Sequence, residues 1–136
     1  MKDDCIFCKL ANHVFDTNII YEDETFTVIL DAAPANYGHA LILPKNHYTN
    51  IFDIDEETLA GAMKLAKKVA AKQVEALKCD GVNVIQNNNE AAGQSVLHYH
   101  LHVIPRYADD GQKMLWKPSE VTDEKQKEMV AKLSLN

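Results

Sequence analysis

The chain has 136 residues, of which 46% are apolar, and a formal net charge of −6 at pH 7. This length and composition fit one globular unit, so we expect residues 1–136 to form a single domain. The acidic balance argues against partners such as nucleic acid or an anionic membrane, although a small anionic ligand in a local pocket remains compatible with it.

The N-terminal stretch "MKDDCIFCKL" has acidic residues where a signal peptide has basic ones, and it lacks an apolar core segment. No apolar run approaches the roughly 20 residues that cross a membrane. We therefore expect a cytoplasmic protein whose Cys5, Cys8 and Cys79 are reduced thiols. The C-x2-C spacing of Cys5 and Cys8 suits two thiolates on one tetrahedral ion, and a buried pair of reduced cysteines is an equal alternative.

Three short strands are expected next along the chain. Residues 18–31 form two apolar segments around the polar "EDE", which is typical of a hairpin. Residues 39–44 form a further strand that ends at Pro44, after a loop rich in Ala, Pro and Gly.

Residues 53–81 predict the one long helix. Asp53 followed by Glu56 suits a capping box, with Asp55 as an alternative cap, and Gly81 marks the end. The buried face is predicted to contain Leu59, Ala62, Ala66, Val69, Gln73 and Leu77.

Two strands and a less regular C-terminus complete the chain. Residues 82–87 and 96–105 read as strands, and a short helix is possible from about Thr122. The order of strands, one helix and further strands predicts an α+β fold with a mainly antiparallel sheet.

The stretch "HYHLH" places histidines at 98, 100 and 102. Alternation with a period of two predicts that they share one face of a strand. A metal site made by all three is awkward, because the outer Cα atoms would be about 13 Å apart. Imidazole is also a good nucleophile towards phosphorus, and His100 is the natural candidate because it has a histidine on each side.

The stretch "GQSVLHYHLHVIPR" (93–106) resembles the signature of the histidine triad (HIT) family of nucleotide hydrolases and transferases. The resemblance extends through "CIFCKL", "ILDAAPANYGHALILPKNH" and "VIQNNNEAAGQS", over roughly residues 5–116. It is closest to the bacterial members of the nucleoside phosphoramidate hydrolase branch. It implies a HIT-like, mainly antiparallel five-stranded sheet with one long helix, and a homodimer whose protomers join their sheets.

The resemblance also implies catalytic roles. His100 matches the nucleophile that attacks the α-phosphorus of a nucleotide, and His102 matches the histidine that bonds the phosphate. Ser95 matches a hydroxyl near the leaving group, and His39 matches a fourth histidine behind the triad. The expected product is a nucleoside monophosphate.

A purine nucleotide is the expected ligand. Asp31 matches the acid that binds ribose hydroxyls, although it could simply begin a turn. Asn87 matches an asparagine near the phosphate, with Asn88 or Asn89 as alternatives, and Gln94 belongs to the same binding set. The apolar wall for the base, which a core role would explain equally well, comprises Ile6, Phe7, Leu10, Ile29 and Leu41.

Some bacterial members that resemble this chain hold a structural zinc with two cysteines and two histidines. The matching positions are Cys5, Cys8, His47 and His98, and we expect one zinc per chain there. His13 is an alternative, although it lies close to the cysteine pair in sequence. A closed set of four ligands leaves no position for substrate.

Three other functions remain open from the sequence. One is a dinucleoside polyphosphate hydrolase, another is a nucleotide-binding regulatory protein with incidental hydrolysis, and the third is a zinc-binding protein without catalysis. Trp116 resembles a tryptophan that lies near the partner's active site in this branch, but its flanking residues differ.

Overall fold

The computed structural model describes all 136 residues and contains one five-stranded sheet. Every neighbouring pair of strands is antiparallel, in the order β1-β2-β3-β5-β4. The expected α+β fold is therefore confirmed. The strands are β1 (Ile19–Glu22), β2 (Phe26–Leu30), β3 (Ala40–Pro44), β4 (Gly81–Ile85) and β5 (Leu101–Arg106).

Three α-helices accompany the sheet, and the first of them was not expected from the sequence. They are α1 (Ile6–Ala11), α2 (Glu56–Leu77) and α3 (Asp123–Leu133), with a short 3₁₀ turn at Glu90–Ala92. None of these helices is long and apolar enough to cross a membrane. α1 has only six residues, too few for a periodic apolar pattern to stand out.

The long helix begins and ends differently from the expectation. Asp55 is the cap, because its carboxylate accepts the backbone N–H of Thr58 at 3.0 Å. The helix stops at Leu77, where Lys78 takes a left-handed conformation with φ of 55°. Gly81 begins β4 instead of ending the helix.

The sheet has two different faces. One face packs against α2 through a core cluster that includes Val28, Ile42 and Leu101. The other packs against the much shorter α1, through a smaller cluster that includes Ile29 and Leu41. Because six residues of helix cannot cover a five-stranded sheet, part of this second face remains open.

The histidine strand is shorter than expected. β5 begins at Leu101, so His98 and His100 precede the strand instead of lying within it. The reason is local hydrogen bonding: the N–H of Tyr99 donates to the carbonyl of Tyr48, and the His98 ring bonds the carbonyl of Pro44. These contacts take the place of strand pairing beyond Ile42↔Leu101.

The C-terminal arm, residues 113–136, contains no buried residue. No residue of α3 is buried, although Thr122 caps the helix by accepting the N–H of Lys125. Leu115 and Trp116 are 88% and 82% exposed. The possible helix near Thr122 is thus present, but it stands away from the sheet.

Candidate active site and metal centre

His100 is held with one defined nitrogen available for chemistry. Its Nδ1 lies 2.7 Å from the backbone carbonyl of His98. A carbonyl only accepts, so Nδ1 carries the proton and Nε2 keeps a lone pair. Burial lowers the pKa of His100, which favours the neutral and nucleophilic ring.

An open cavity of about 250 Å³ lies beside His100 on the α1 face of the sheet. It brings together residues from α1, β2, β3, β5 and the loop before His98. Four of the five expected wall residues line it, together with three polar candidates. They are Phe7, Leu10, Ile29 and Leu41, with Asp31, Ser95 and His102.

Some lining residues carried no recognisable signal in the sequence. Thr17, Leu30, Ala32 and Val96 also border this cavity. Ile6 does not border it; this residue is 43% exposed and lines a neighbouring cavity of about 350 Å³. Ser95 borders both cavities.

Asp31 has both of the roles considered from the sequence. It begins a turn, because its Oδ1 accepts the N–H of Ala33 at 2.9 Å. It also lines the cavity, and its Oδ2 lies 3.5 Å from Nε2 of His39. A carboxylate here can still accept hydrogen bonds from a ligand, since each oxygen has more than one lone pair.

His39 lies behind His102. Its Nε2 is 2.9 Å from Nδ1 of His102, and its Nδ1 accepts the backbone N–H of Ala35 at 3.0 Å. Burial lowers the pKa of His39 and lowers that of His102 to about 4. Both rings are therefore neutral near pH 7.

Gln94 and Asn87 lie outside the cavity. The Gln94 amide is buried and donates to the carbonyls of Thr49 and Val96, while its oxygen accepts the N–H of Asn89. These bonds fix the loop that carries Ser95. The Asn87 amide lies 3.5 Å from the carbonyl of Gly93, on the outer side of the same loop.

The four expected metal ligands converge at one point. Cys5, Cys8, His47 and His98 place their ligand atoms within 4.8 Å of one another. Nδ1 of His98 is 3.4 Å from both sulfurs, and Nδ1 of His47 is 3.3 Å from Cys8. A tetrahedral zinc would place sulfur and nitrogen ligand atoms about 3.5 Å apart, so the donor set fits the ion.

The alternative ligand His13 is engaged elsewhere. Its Nε2 lies 2.6 Å from a carboxylate oxygen of Glu22, and it is absent from the cluster. Cys5 caps α1, and the N–H of Cys8 points to its sulfur at 3.4 Å. The unexpected helix α1 therefore sets the geometry of the cysteine pair.

The ring of His98 presents the correct nitrogen to this cluster. Its Nε2 lies 2.9 Å from the carbonyl of Pro44, so Nε2 carries the proton and Nδ1 has the free lone pair. A carbonyl partner on the remote nitrogen is the usual support for a metal-bound histidine. The backbone of the same residue orients His100, which links the two sites directly.

Comparison with known proteins identifies the family. The sequence model of the HIT domain family matches residues 12–109, so the chain belongs to the HIT family. The adenosine 5'-monophosphoramidase of Saccharomyces cerevisiae is 37% identical over 134 residues, which are 95% of this chain and 82% of the yeast protein.

Solved structures share the fold over nearly the whole chain. A HIT family protein from Bacillus subtilis superposes with a TM-score of 0.89 at 32% identity, covering 97% of this chain and 96% of that one. A zinc-bound histidine triad protein from Mycobacterium smegmatis has a TM-score of 0.78 at 38% identity, covering 85% and 84%. Some members of the family are named as hydrolases.

Proposed function

We propose that the protein hydrolyses nucleoside phosphoramidates or related nucleotides at the α-phosphate, through a covalent nucleotidyl-histidine. The observation that supports this most directly is the bond between Nδ1 of His100 and the His98 carbonyl, which leaves Nε2 unprotonated beside the cavity. The likeness to the yeast monophosphoramidase agrees with a phosphoramidate as substrate.

Two displacements at phosphorus complete the proposed reaction. Nε2 of His100 forms a bond to the α-phosphorus while the bond to the leaving nitrogen breaks, and the amine departs with the electron pair and a proton from solvent. Water then attacks the phosphorus and gives up one proton to solvent, and the N–P bond breaks. The electron pair returns to Nε2, and a nucleoside monophosphate is released.

The remaining polar groups have distinct proposed roles around His100. Asp31 accepts ribose hydroxyls, His102 donates to a phosphoryl oxygen, and Ser95 faces the leaving group. The purine base packs between Phe7 and the apolar side chains of β2 and β3. Gln94 acts indirectly, through the loop that it fixes, and we assign Asn87 to the same loop.

Zinc has a structural part in this proposal. Cys5, Cys8, His47 and His98 would hold one ion per chain, which would link α1 to the segment before β5. When bound, the ion supplies cross-linking and no Lewis-acid step, because four protein ligands close its coordination. Burial lowers the pKa of His98 to about 4, which keeps its ring in the neutral form that coordinates metal.

We also propose that the protein is a cytoplasmic homodimer. β4 is an edge strand with Val84 41% exposed. Met63 and Val74 are 55% and 47% exposed, and they lie eleven positions apart in α2, so they share a helix face. A second copy would cover both the edge and this stripe. Light scattering that found a stable 15.3 kDa particle at micromolar concentration would contradict the dimer.

The function is tested by incubating the purified protein with adenosine 5'-phosphoramidate and, in parallel, with diadenosine polyphosphates. We expect AMP from the phosphoramidate and a nucleotidylated His100 after rapid quenching in alkaline denaturant, in which the N–P bond persists. Faster cleavage of the dinucleotides would favour the alternative hydrolase. Release of AMP no faster than in His100→Ala would count against catalysis and leave a nucleotide-binding role.

A further inference from the structure

The loop between β2 and β3 contains a backbone donor that determines the protonation of two histidines in series. The N–H of Ala35 lies 3.0 Å from Nδ1 of His39. A backbone N–H can only donate, so Nδ1 of His39 must accept and carries no proton. The neutral ring of His39 therefore holds its proton on Nε2.

The second step transfers this constraint to His102. The Nε2–H of His39 points to Nδ1 of His102 at 2.9 Å, a closer acceptor than Oδ2 of Asp31 at 3.5 Å. Nδ1 of His102 must then accept, which leaves its proton on Nε2. His102 lines the cavity, and Nε2 is the nitrogen that His39 leaves free.

We propose that His39 is a positioning residue: the Ala35–His39–His102 relay keeps the proton of His102 on Nε2, as a fixed donor for a phosphoryl oxygen. This inference rests on the proposed function, because it assigns the donor that the reaction uses. The ring centroids of His100 and His102 are 5.0 Å apart. With the relay in place, Nε2 of His100 carries a lone pair and Nε2 of His102 carries a proton. One ring presents a lone pair to phosphorus, and the other presents a proton to its oxygen.

The same relay excludes a second metal site. Asp31, His39 and His102 place ligand atoms within 4.8 Å of one another, a group of two histidines and a carboxylate that often binds metal. A metal at Nε2 of His39 would require the proton on Nδ1, where it would face the N–H of Ala35. Two donors cannot hydrogen-bond to each other, so these three side chains are arranged for a chain of hydrogen bonds and not for a metal ion.

The direct test is ¹⁵N NMR of the ring nitrogens in the histidine-labelled, zinc-loaded protein near pH 7, with His102→Gln used to assign the signals. We expect His102 to show a protonated Nε2 and a Nδ1 with the shift of a hydrogen-bonded acceptor. A protonated Nδ1 on His102 would overturn the relay. The measurement needs no turnover, so the relay would stand even if adenosine 5'-phosphoramidate were not hydrolysed.

A matched pair of variants tests the consequence for catalysis. His39→Gln places an amide donor near the position of Nε2, whereas His39→Glu places an acceptor there. We expect His39→Gln to lose less than about tenfold in kcat/KM and His39→Glu to lose about 10²-fold or more, the usual effect of removing one donor to a developing oxyanion.

The two variants also separate positioning from folding. The ¹⁵N spectrum of His102 should keep its wild-type tautomer in His39→Gln and change in His39→Glu. His39→Leu, which is apolar and neutral, checks the result if the buried carboxylate of His39→Glu prevents folding, and it should fall between the other two in kcat/KM. Equal kcat/KM for folded His39→Gln and His39→Leu, with the same His102 tautomer in both, would overturn the proposal.

Discussion

Two clusters of histidines lie on either side of His100, and they differ in what holds the remote nitrogen of each ring. His98 donates its remote N–H to the carbonyl of Pro44, which leaves a lone pair directed at Cys5 and Cys8. His39 accepts the N–H of Ala35, which leaves a proton directed at His102. A single backbone partner therefore decides whether a buried imidazole binds a metal or donates a hydrogen bond.

His100, placed between the clusters, should show the largest effect. We predict that His100→Ala lowers the rate of AMP release by about 10³-fold or more, because a covalent mechanism loses its nucleophile. Nucleotide binding should persist, since Asp31 and the apolar wall are unchanged. Steady-state kinetics and equilibrium dialysis with AMP measure the two quantities.

The control for that variant is His13→Ala, which changes a histidine outside both clusters. A His100→Ala protein that kept more than about a tenth of the wild-type rate, a barrier change of only about 1.4 kcal/mol, would not have lost its nucleophile. The function would then need a different attacking group.

The group of Cys5, Cys8, His47 and His98, which we call the metal cluster, should show the next largest effect, on stability. Cys5→Ser/Cys8→Ser should lose about one equivalent of zinc per chain, measured by elemental analysis. Ligand linkage contributes about 4 kcal/mol when free zinc is near 1,000 times Kd, so the Tm should fall by about 10–20 °C. The rate of hydrolysis should fall less, because the effect reaches His100 only through the backbone of His98.

Cys79→Ser is the matched control, because Cys79 is also a buried free thiol but lies outside the cluster. It should keep its zinc. Full zinc retention in the double variant, or no zinc in the wild type, would show that Cys5 and Cys8 do not hold a zinc ion.

The sequence predicted the elements with strong periodicity and missed those defined by tertiary contacts. The stripe of α2 was recognisable, and Ala62, Ala66, Val69 and Gln73 of it are buried. Leu77, the last residue of the helix, is 39% exposed.

Parts of the candidate active site and metal centre could be predicted, because sequence motifs mark the residue types that they contain. The spacing of "CIFC" and "HYHLH" alone left several functions open, and the resemblance to the HIT family supplied the residue sets that the structure brings together. The sequence could not predict that α1 forms, because six residues are too few for a periodic pattern. It could not predict that β5 starts only at Leu101, because the deciding partners are the carbonyls of Pro44 and Tyr48. The N–H of Ala35 is likewise invisible in a sequence, since every residue but proline has one.

Asp31, His39 and His102 form what we call the relay cluster, and Asp31 also belongs to the expected ribose site, so its substitution tests both. Asp31→Asn should raise KM for a ribonucleotide by about tenfold, because hydrogen bonds to a charged group contribute about 1.5–3 kcal/mol. The preference for the ribonucleotide over its 2',3'-dideoxy analogue should shrink in the variant. The exposed Asp109→Asn serves as control, and an unchanged sugar preference would remove Asp31 from the ribose site.

The smallest predicted effect is a pH dependence of stability that comes from the relay cluster. Burial lowers the pKa of His102 from its ordinary 6.5 to about 4, and it lowers that of His39 in the same direction. Between these values the unfolded chain binds a proton that the folded chain does not, so acid favours unfolding. The contribution of His102 is fully present above about pH 6.5 and is lost as the pH falls through 4.

The measurement compares urea midpoints at pH 7.5 and pH 5 in the Cys5→Ser/Cys8→Ser background, so that zinc release does not contribute. Adding His102→Gln should reduce the difference between the two midpoints, because glutamine does not titrate. Adding Asp109→Asn, at an exposed residue outside the cluster, should leave the difference unchanged. An equal acid loss with and without His102 would show that its ring is as easily protonated in the folded protein as in the unfolded chain. The relay cluster would then not be the neutral hydrogen-bonded unit that separates it from the metal cluster.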